Sequence, residues 1–345
     1  MDPLRQQFSQ ALTKIEVNGS KRQKAINAHT EIQELLAQDM LLRSWGISTR
    51  LIGSYGRQTA IYPGKDVDVF ARLENLTTSA NPEEVYAGVW AVLVARYGHV
   101  EQGGRATPQA RSIKIDFSEP GNANSSFAVD VVPAVTYGIR WAIPAKDRAL
   151  WASDQARWIA TDPERFGQLS TDLNTATWSP AVGGQNAYKP VVKLMRQARE
   201  VHLGDRKPGG LYVEFATYDT WSRSLVSGDE WGDLLASTLR QVADRFGQAP
   251  YQPLVDPGLG TAVDPPLDPS QWQYASETFK RLANLGEEAL NSTRCNAALK
   301  WRRILGKNDR GQVFPLPPGC GSTGVAGAGL AGVAASSPKE AQGFG

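Results

Sequence analysis

The stretch LIGSYGRQTAIYPGKDVDVF, residues 51–70, places a Gly-Ser turn a short distance before two carboxylates in alternate positions. Asp66 and Asp68 lie in the β-branched run KDVDVF, which is typical of a strand. Alternate residues of a strand point to one face, so these two side chains are expected to lie roughly 7 Å apart on one side of a sheet. A third carboxylate, Asp130, lies at the centre of the apolar run SSFAVDVVPAV, residues 125–135, which predicts a neighbouring strand.

Three carboxylates on neighbouring strands favour a metal site. Two carboxylates about 4 Å apart repel each other by roughly 4 kcal/mol at an effective dielectric near 20, and burial of a third adds a desolvation cost. Divalent cations remove that cost, and two Mg²⁺ ions held by such acids suit an in-line displacement on a triphosphate. Asp66 and Asp68 without Asp130 would fit a solvated strand face equally well. The three together predict a site for two Mg²⁺ ions, with Mn²⁺ as a substitute.

Gly53 and Ser54 are predicted to end a strand and open a helix. Backbone N–H groups and a hydroxyl then lie at a positive helix end, where a triphosphate can bind. A lone Gly-Ser pair would indicate only a turn, and it is the downstream acid pair that favours the phosphate-binding interpretation. Arg57 and Lys65 flank this region and are interpreted by default as surface charges.

The order G-S-x-G, then D-x-D, then a later lone Asp resembles the DNA polymerase β-type nucleotidyltransferase superfamily. Within it, the chain is similar to the bacterial CD-NTases, relatives of animal cyclic GMP-AMP synthase and oligoadenylate synthase. The resemblance covers roughly residues 20–318. Besides the acids it rests on four further segments in the same order, namely KPVVKLMRQAR, GGLYVEFATYD, VDPPLDPSQWQYASETFKRLANLGEEAL and KWRRILGKNDRGQVFPLPP.

The resemblance implies roles for individual residues. Asp66, Asp68 and Asp130 correspond to the catalytic metal ligands, and Asp130 is the acid nearest the attacking hydroxyl, as its general base or as a group that orients it. Lys193 and Arg196, three apart on one predicted helix, would hold the β- and γ-phosphates of the donor; the alternative is an ordinary solvated helix face.

Two neighbouring positions concern the nucleobase and the triphosphate. Tyr212 matches the aromatic residue that stacks on a nucleobase in the similar enzymes, while its alternative is a core tyrosine. Leu211 stands where those enzymes often have a serine that contacts the triphosphate, which puts that particular contact in doubt.

The activity implied is Mg²⁺-dependent synthesis of a cyclic di- or trinucleotide second messenger from NTPs, with ATP and GTP as the expected substrates and pyrophosphate as the leaving product. The resemblance also implies bacterial anti-phage (CBASS) signalling, with a downstream effector that binds the product. One alternative is a nucleotidyltransferase with another acceptor, such as RNA, a protein or a small molecule. Another is a catalytically silent nucleotide-binding scaffold.

Charge, apolar content and cysteine number restrict the partners and the cellular compartment that the sequence predicts. With 37 basic and 35 acidic residues the formal net charge is +2, so there is no global field of the kind expected for a standing nucleic-acid partner or activator. No run of about 18 apolar residues predicts a membrane span, and the polar start MDPLRQQFSQ is unlike a secretory signal. Cys295 and Cys320 form neither a disulfide framework nor a four-ligand zinc site, which is consistent with a reducing cytoplasm.

The pattern along the 345 residues predicts an α/β (α+β) core with a mixed sheet and a mostly α-helical second lobe, and the resemblance implies that the core is a nucleotidyltransferase domain with the active-site cleft between the two lobes. We place the core with its N-terminal helices at residues 1–155, an oligoadenylate-synthase-like helical lobe at 156–318 and a flexible tail at 319–345. Within the helical lobe, helices are expected at about 186–202, 211–225, 229–246 and 270–305. The tail ends in Gly343-Phe344-Gly345. Because some CD-NTases are conjugated through the extreme C-terminus by a ubiquitin-ligase-like enzyme, the resemblance suggests Gly345 as a conjugation site; the alternative is an unremarkable disordered end.

Overall fold

The computed structural model describes residues 4–119, 126–263 and 266–321 of the chain. The α-helices in these ranges are α1 Arg5–Ile15, α2 Gly19–Gln38, α3 Met40–Ser44, α4 Gly53–Gly56, α5 Pro82–Tyr97, α6 Pro163–Thr175, α7 Tyr188–Leu203, α8 Gly210–Ser222, α9 Trp231–Phe246, α10 Pro269–Leu290 and α11 Arg294–Leu305. The strands are β1 Ile47–Ile52, β2 Asp66–Thr77, β3 Ala106–Pro108, β4 Ile113–Asp116, β5 Ala128–Tyr137, β6 Arg140–Pro144, β7 Trp158–Thr161, β8 Ala181–Val182, β9 Gln185–Asn186, β10 Val255–Asp256, β11 Thr261–Ala262, β12 Lys307–Asn308 and β13 Gly311–Gln312.

The central element is a seven-stranded mixed sheet. Its main path runs β1-β2-β5-β4-β3, and β6 joins β5 and carries β7. The two long strands β2 and β5 are parallel, while β1 pairs with β2, and β4 with β5, in antiparallel fashion. The predicted mixed-sheet core with a helical second lobe is confirmed.

The alternation in β2 decides which face of the sheet is buried and which carries the acids. Val67, Val69, Ala71 and Leu73 are fully buried and pack in one cluster with α2 and α5. Asp66 and Asp68 occupy the intervening positions, so the pleat directs them to the opposite face. The apolar side chains therefore hold the strand in register and present the two acids away from this core.

A second hydrophobic core lies among the helices. It contains buried side chains of α7 to α11, including Trp221, Trp231 and Trp301. Helix α1 packs here and not on the sheet, since Phe8 makes edge contacts with Trp301 at 5.3 Å and with Phe314 at 4.9 Å between ring centroids. The proposed division near residue 155 remains a proposal, with α1 contributing to the core of the helical lobe.

Several predicted elements differ in detail from the structure. The helix expected over 270–305 is two helices, because the chain turns at Asn291–Thr293 before α11 begins. The chain was expected to become helical from about residue 155, which is wrong at β7, where Trp158–Thr161 extends the sheet beside β6. Aromatic and β-branched residues in that short run favour a half-buried strand over a helix.

A disulfide links the end of the described chain covalently to the helical lobe. Cys320 forms a disulfide with Cys295 in the first turn of α11, with the two Cα atoms 5.3 Å apart. The expectation that these cysteines form no disulfide framework is wrong for this pair, because the β12–β13 hairpin returns the chain to the start of α11 within disulfide reach. The remainder of the predicted tail, including Gly345, lies outside the described residues. No helix of the described ranges is long and apolar enough to cross a membrane.

Candidate active site

A tight turn after β1 forms the first part of the site along the chain. Gly53 has a φ of 62° and starts α4. A Cβ atom at this position would lie 1.9 Å from Asp68 Oδ2, so a side chain would collide with the acid. Glycine is therefore required both by the left-handed backbone and by the close approach to Asp68. The carbonyl oxygen of Ser54 accepts hydrogen bonds from the backbone N–H groups of Thr59 at 2.8 Å and Ala60 at 3.0 Å, which fix the loop after the turn.

The strand register brings the acids together. Asp68 on β2 is directly paired with Asp130 on the parallel strand β5, and Asp66 lies two residues earlier on the same face of β2. Neighbouring strands are about 4.8 Å apart, so the carboxylates of Asp68 and Asp130 are close neighbours. Asp66 is exposed at the entrance, whereas Asp68 and Asp130 are half-buried.

The electrostatics of these acids follow from burial and mutual repulsion. Burial, then the charges of Asp68 and Asp66, raises the pKa of Asp130 to about 6. Burial also raises the pKa of Asp68; the Arg57 charge opposes this shift, and the charge of Asp66 adds to it. The acid cluster therefore carries an unfavourable concentration of negative charge.

The donor set fits a divalent cation. Asp130 Oδ1 is buried and has no hydrogen-bond partner, and carboxylate oxygens are the ligands that hard cations prefer. Among the residues that the structure describes, however, no group of three acidic, histidine or cysteine side chains is already arranged to hold a metal ion. The metal-ligand role of Asp66, Asp68 and Asp130 is therefore a proposal, supported by their shared face, the strand register and the unsatisfied oxygen.

A cavity of 510 Å³ lies over the acids. The sheet side contributes Ser54, Lys65 and the three aspartates, and the helical lobe contributes Arg196, Arg199, Gly210 and Leu211. The three aspartates of the sheet side thus share the cavity with Arg196 and Arg199 of the helical side, while Lys65 and Glu200 add one charge of the opposite sign to each wall. The cavity can hold a polyanionic ligand that contacts both lobes, with a cation between the ligand and the aspartates.

A buried ion-pair network connects the two walls. Glu214 on α8 is 1% exposed and accepts hydrogen bonds from Arg57 Nε at 2.9 Å, from Thr59 Oγ1 at 3.1 Å and from Arg196. Burial alone would raise the pKa of Glu214, but Arg57 and Arg196 outweigh it and lower the pKa below its ordinary value. Glu214 thereby fixes Arg196 at the cavity and joins α8 to the segment that follows the Gly-Ser turn.

Sequence reasoning missed this network. Arg57, interpreted as a surface charge, is only 5% exposed, and that interpretation is wrong. The available signal was the single Glu inside the otherwise apolar run LYVEFA, because a charged residue on a buried face needs a partner. Its partner could not be identified, since Arg57 is 157 positions away along the chain.

Two predicted nucleotide-binding residues do not line this cavity. Lys193 lines a neighbouring cavity and pairs with Glu16 at 2.5 Å, although it lies one turn before Arg196 on α7. The loop containing Ala60 divides this helix face, so the two cations meet different cavities. Tyr212 is half-buried against the helical core, and Leu211 beside it lines the acid cavity. The structure thus brings Gly53, Ser54 and Arg196 to the acids but not Lys193 or Tyr212.

Comparisons with known proteins agree with this architecture. Residues 2–174 match the Second Messenger Oligonucleotide or Dinucleotide Synthetase domain. A cyclic AMP-AMP-AMP synthase of Acinetobacter sp. is 25% identical over 316 residues, which span 87% of this chain and 84% of that protein. Among solved structures, CdnC of E. coli MS115-1 with ATP has a TM-score of 0.67 at 13% identity, covering 90% of this chain and 98% of that one. The CD-NTase CdnG of Bradyrhizobium diazoefficiens in complex with GTP has a TM-score of 0.65 at 16% identity, covering 88% and 95%.

The domain match extends over half of the chain and includes the Gly-Ser turn and all three aspartates. The chain therefore belongs to the Second Messenger Oligonucleotide or Dinucleotide Synthetase family and is a bacterial CD-NTase, a nucleotidyltransferase of the class that synthesises cyclic oligonucleotides.

Proposed function

We propose that this chain converts NTPs into a cyclic di- or trinucleotide in a Mg²⁺-dependent reaction that releases pyrophosphate. One observation carries the proposal: Asp68 and Asp130 lie in register on parallel strands, with Asp66 on the same face, below a cavity that also receives Ser54 and Arg196. Acids that face a phosphate-binding turn and a cation are the components that nucleotidyl transfer needs.

Different residues of the site bind the triphosphate and the metal ions. Ser54 and the turn at Gly53 bind the triphosphate of the donor, while Arg196, fixed by Glu214, binds its outer phosphates from the other wall. Asp66, Asp68 and Asp130 would hold two Mg²⁺ ions, with Mn²⁺ as a substitute. When bound, these ions supply charge neutralisation at the phosphates and lower the pKa of the attacking hydroxyl.

The bond changes are those of an in-line displacement. A ribose oxygen of the acceptor nucleotide forms a bond to the α-phosphorus of the donor, and the bond from that phosphorus to the β-phosphate bridging oxygen breaks. Asp130, paired with Asp68 across the parallel strands, orients the attacking hydroxyl and accepts its proton. The proton passes to solvent and pyrophosphate leaves. The linear product retains the 5′-triphosphate of its first nucleotide and turns so that its own free hydroxyl faces the same acids. That hydroxyl attacks the retained α-phosphorus, the bond from this phosphorus to the β-phosphate bridging oxygen breaks, and the ring closes with release of a second pyrophosphate.

ATP is the first substrate to test, followed by GTP. The Acinetobacter relative is a cyclic AMP-AMP-AMP synthase, and the structurally similar CdnC and CdnG bind ATP and GTP respectively. By extension from the family, we place the product in cytoplasmic anti-phage signalling through a downstream effector. Conjugation of Gly345 by a ubiquitin-ligase-like regulator belongs to the same proposal and concerns residues outside the described ranges. A CdnC:HORMA complex indicates that a structural relative has a protein partner.

The decisive experiment combines product analysis with acid variants. The purified chain with Mg²⁺ and labelled ATP or GTP should release pyrophosphate and yield a phosphatase-resistant product. Asp66→Asn and Asp130→Asn should each lower the rate by at least 10² to 10³, the approximate loss expected when a group that stabilises the transition state is removed.

Asp154→Asn is the matched control. This aspartate has a side chain 92% exposed and pairs with Arg157 at 3.4 Å, so full activity is expected. Phosphatase-sensitive linear products from the wild type would contradict ring closure, and unchanged rates in both acid variants would contradict the assigned site.

A further inference from the structure

A second cavity adjoins the acid cavity and has the opposite charge. It measures 360 Å³, shares Ala60 with its neighbour, and is lined by Lys189 and Lys193 in the first half of α7. Arg22 of α2 and Glu16 complete its charged lining. Three cations and one carboxylate leave the cavity with two positive charges in excess.

Lys189 is the unusual member of this group. The residue is only 8% exposed, and its Nζ donates to Thr171 Oγ1 at 3.2 Å and to Gln58 Oε1 at 3.5 Å. Both acceptors are neutral, and within the described part of the chain Lys189 has no carboxylate partner. Burial, reinforced by the charge of Lys193, lowers the pKa of Lys189 below its ordinary value. A buried ammonium group without an anion is costly, and because Lys189 lines the cavity, a negative ligand bound there would offset that cost.

The other two cations differ in their availability. Lys193 is partly neutralised by Glu16, with 2.5 Å between Nζ and Oε1. Arg22 is exposed and forms no ion pair among the described residues. The amide side chains of Asn174 and Gln185 add neutral hydrogen-bonding groups to the lining. A compact, multiply charged anion matches this combination better than an apolar ligand does.

We propose that this second cavity is a binding site for a diphosphate group, carried by free pyrophosphate or by a nucleoside diphosphate. Two phosphates supply the two to three negative charges that balance the excess of cations, and Lys189 provides a desolvated ammonium for one of them. The site adjoins the turn that binds the donor, because Gln58, the neutral partner of Lys189, follows α4 with a left-handed φ of 63°. The proposal does not depend on the chemistry of the acid cavity, since its test measures binding and not product.

The test is isothermal titration calorimetry with pyrophosphate in the presence of EDTA. Without divalent metal, the three aspartates repel the probe from the acid cavity, so binding reports on the second cavity. Lys189→Met keeps the length of the buried side chain and removes its charge, and it should weaken pyrophosphate binding at least tenfold. Arg22→Gln, at an exposed position with no ion pair among the described residues, should weaken it severalfold. Arg196→Gln removes one of the cations that line the acid cavity, and it should weaken pyrophosphate binding far less than Lys189→Met does. Arg96→Gln, at a side chain that is 58% exposed and lines neither cavity, should leave pyrophosphate affinity unchanged.

Equal affinities in the wild type and Lys189→Met would overturn the proposal, as would a loss confined to Arg196→Gln, which would place the anion over the aspartates. The melting temperature separates binding from folding: Lys189→Met without ligand should melt no lower than the wild type, because it removes an uncompensated buried charge. Pyrophosphate should then raise the melting temperature of the wild type and not that of the variant.

Further titrations distinguish the two sources of the diphosphate group. Tighter binding of ADP than of pyrophosphate, lost in Lys189→Met, would identify a nucleoside diphosphate. Equal or weaker binding of ADP would identify free pyrophosphate. Adenosine lacks the phosphates and should not bind, and adenosine affinity equal to that of ADP would contradict recognition through the diphosphate.

Discussion

At the scale of single residues, Asp130 couples the site to pH. Its carboxyl has an unsatisfied buried oxygen, and burial with the charges of Asp68 and Asp66 raises its pKa from 3.8 to about 6. The unfolded chain releases this proton at the lower value, so between these two pKa values the folded state binds more protons than the unfolded state. The stabilising contribution is therefore complete below about pH 4 and is lost as pH rises through about 6.

This linkage predicts an unusual effect for Asp130→Asn. In EDTA near neutral pH the variant should melt higher than the wild type by on the order of a few degrees, because the amide carries no repelled charge. The difference should vanish below about pH 4, where both side chains are neutral. Added Mg²⁺ should raise the melting temperature of the wild type and leave that of the variant nearly unchanged. Thermal unfolding followed by fluorescence measures all three results, with the exposed Asp154→Asn as the unaffected control. If Asp130→Asn melts lower than the wild type at every pH, the carboxylate of Asp130 is not destabilised by repulsion from Asp66 and Asp68.

At the scale of elements, the turn between β1 and α4 can be tested by comparing two glycines. Gly53 and Gly138 have φ values of 62° and 60°, but a Cβ at Gly53 would lie 1.9 Å from Asp68 Oδ2, whereas one at Gly138 has nothing within 4 Å. Both alanine variants should lose about 1 to 2 kcal/mol to the left-handed backbone. Gly53→Ala should lose more and should abolish pyrophosphate release, because the collision displaces Asp68. Urea unfolding and a pyrophosphate assay compare the pair; equal stability losses with full activity in both would show that the close approach is unimportant.

Elements differed in how far the sequence could predict them. β2 was predictable because Asp66 and Asp68 alternate with the buried Val67 and Val69, and β5 because it is an apolar run around Asp130; parallel register then sets Asp68 beside Asp130. The break between α10 and α11 was not predictable, since the Ser292-Thr293 pair is a weak helix-stop signal inside a long amphipathic pattern. The sequence also could not show that Lys193 and Arg196 of α7 line different cavities. They do so because the loop containing Ala60, which lines both cavities, lies between them.

At the scale of the whole molecule, the site depends on contacts that no local pattern encodes. The three acids lie on β2 and β5, which are neighbours in the sheet, and the local residue pattern of each strand was enough to identify them as candidates. The opposite wall depends on Glu214, which joins Arg57 of the sheet side to Arg196 of the helical lobe. Such a contact forms only when α8 packs against the segment after α4, so the complete site is a property of the assembled lobes.

Glu214→Gln tests this connection between the lobes. The amide keeps the size of the side chain but leaves Arg57, 5% exposed, and Arg196 without a buried anion. Removing one member of a buried ion pair costs about 3 to 5 kcal/mol, which urea unfolding should detect as a lower midpoint. The Michaelis constant for ATP should rise as well, because Arg196 is no longer held at the cavity. Glu31→Gln is the matched control: its pair with Arg96, 3.2 Å long, has side chains 40% and 58% exposed, so a loss of at most about 1 kcal/mol and an unchanged Michaelis constant are expected. Equal stability losses in the two variants would show that the buried ion pairs of Glu214 stabilise the protein no more than an exposed ion pair does.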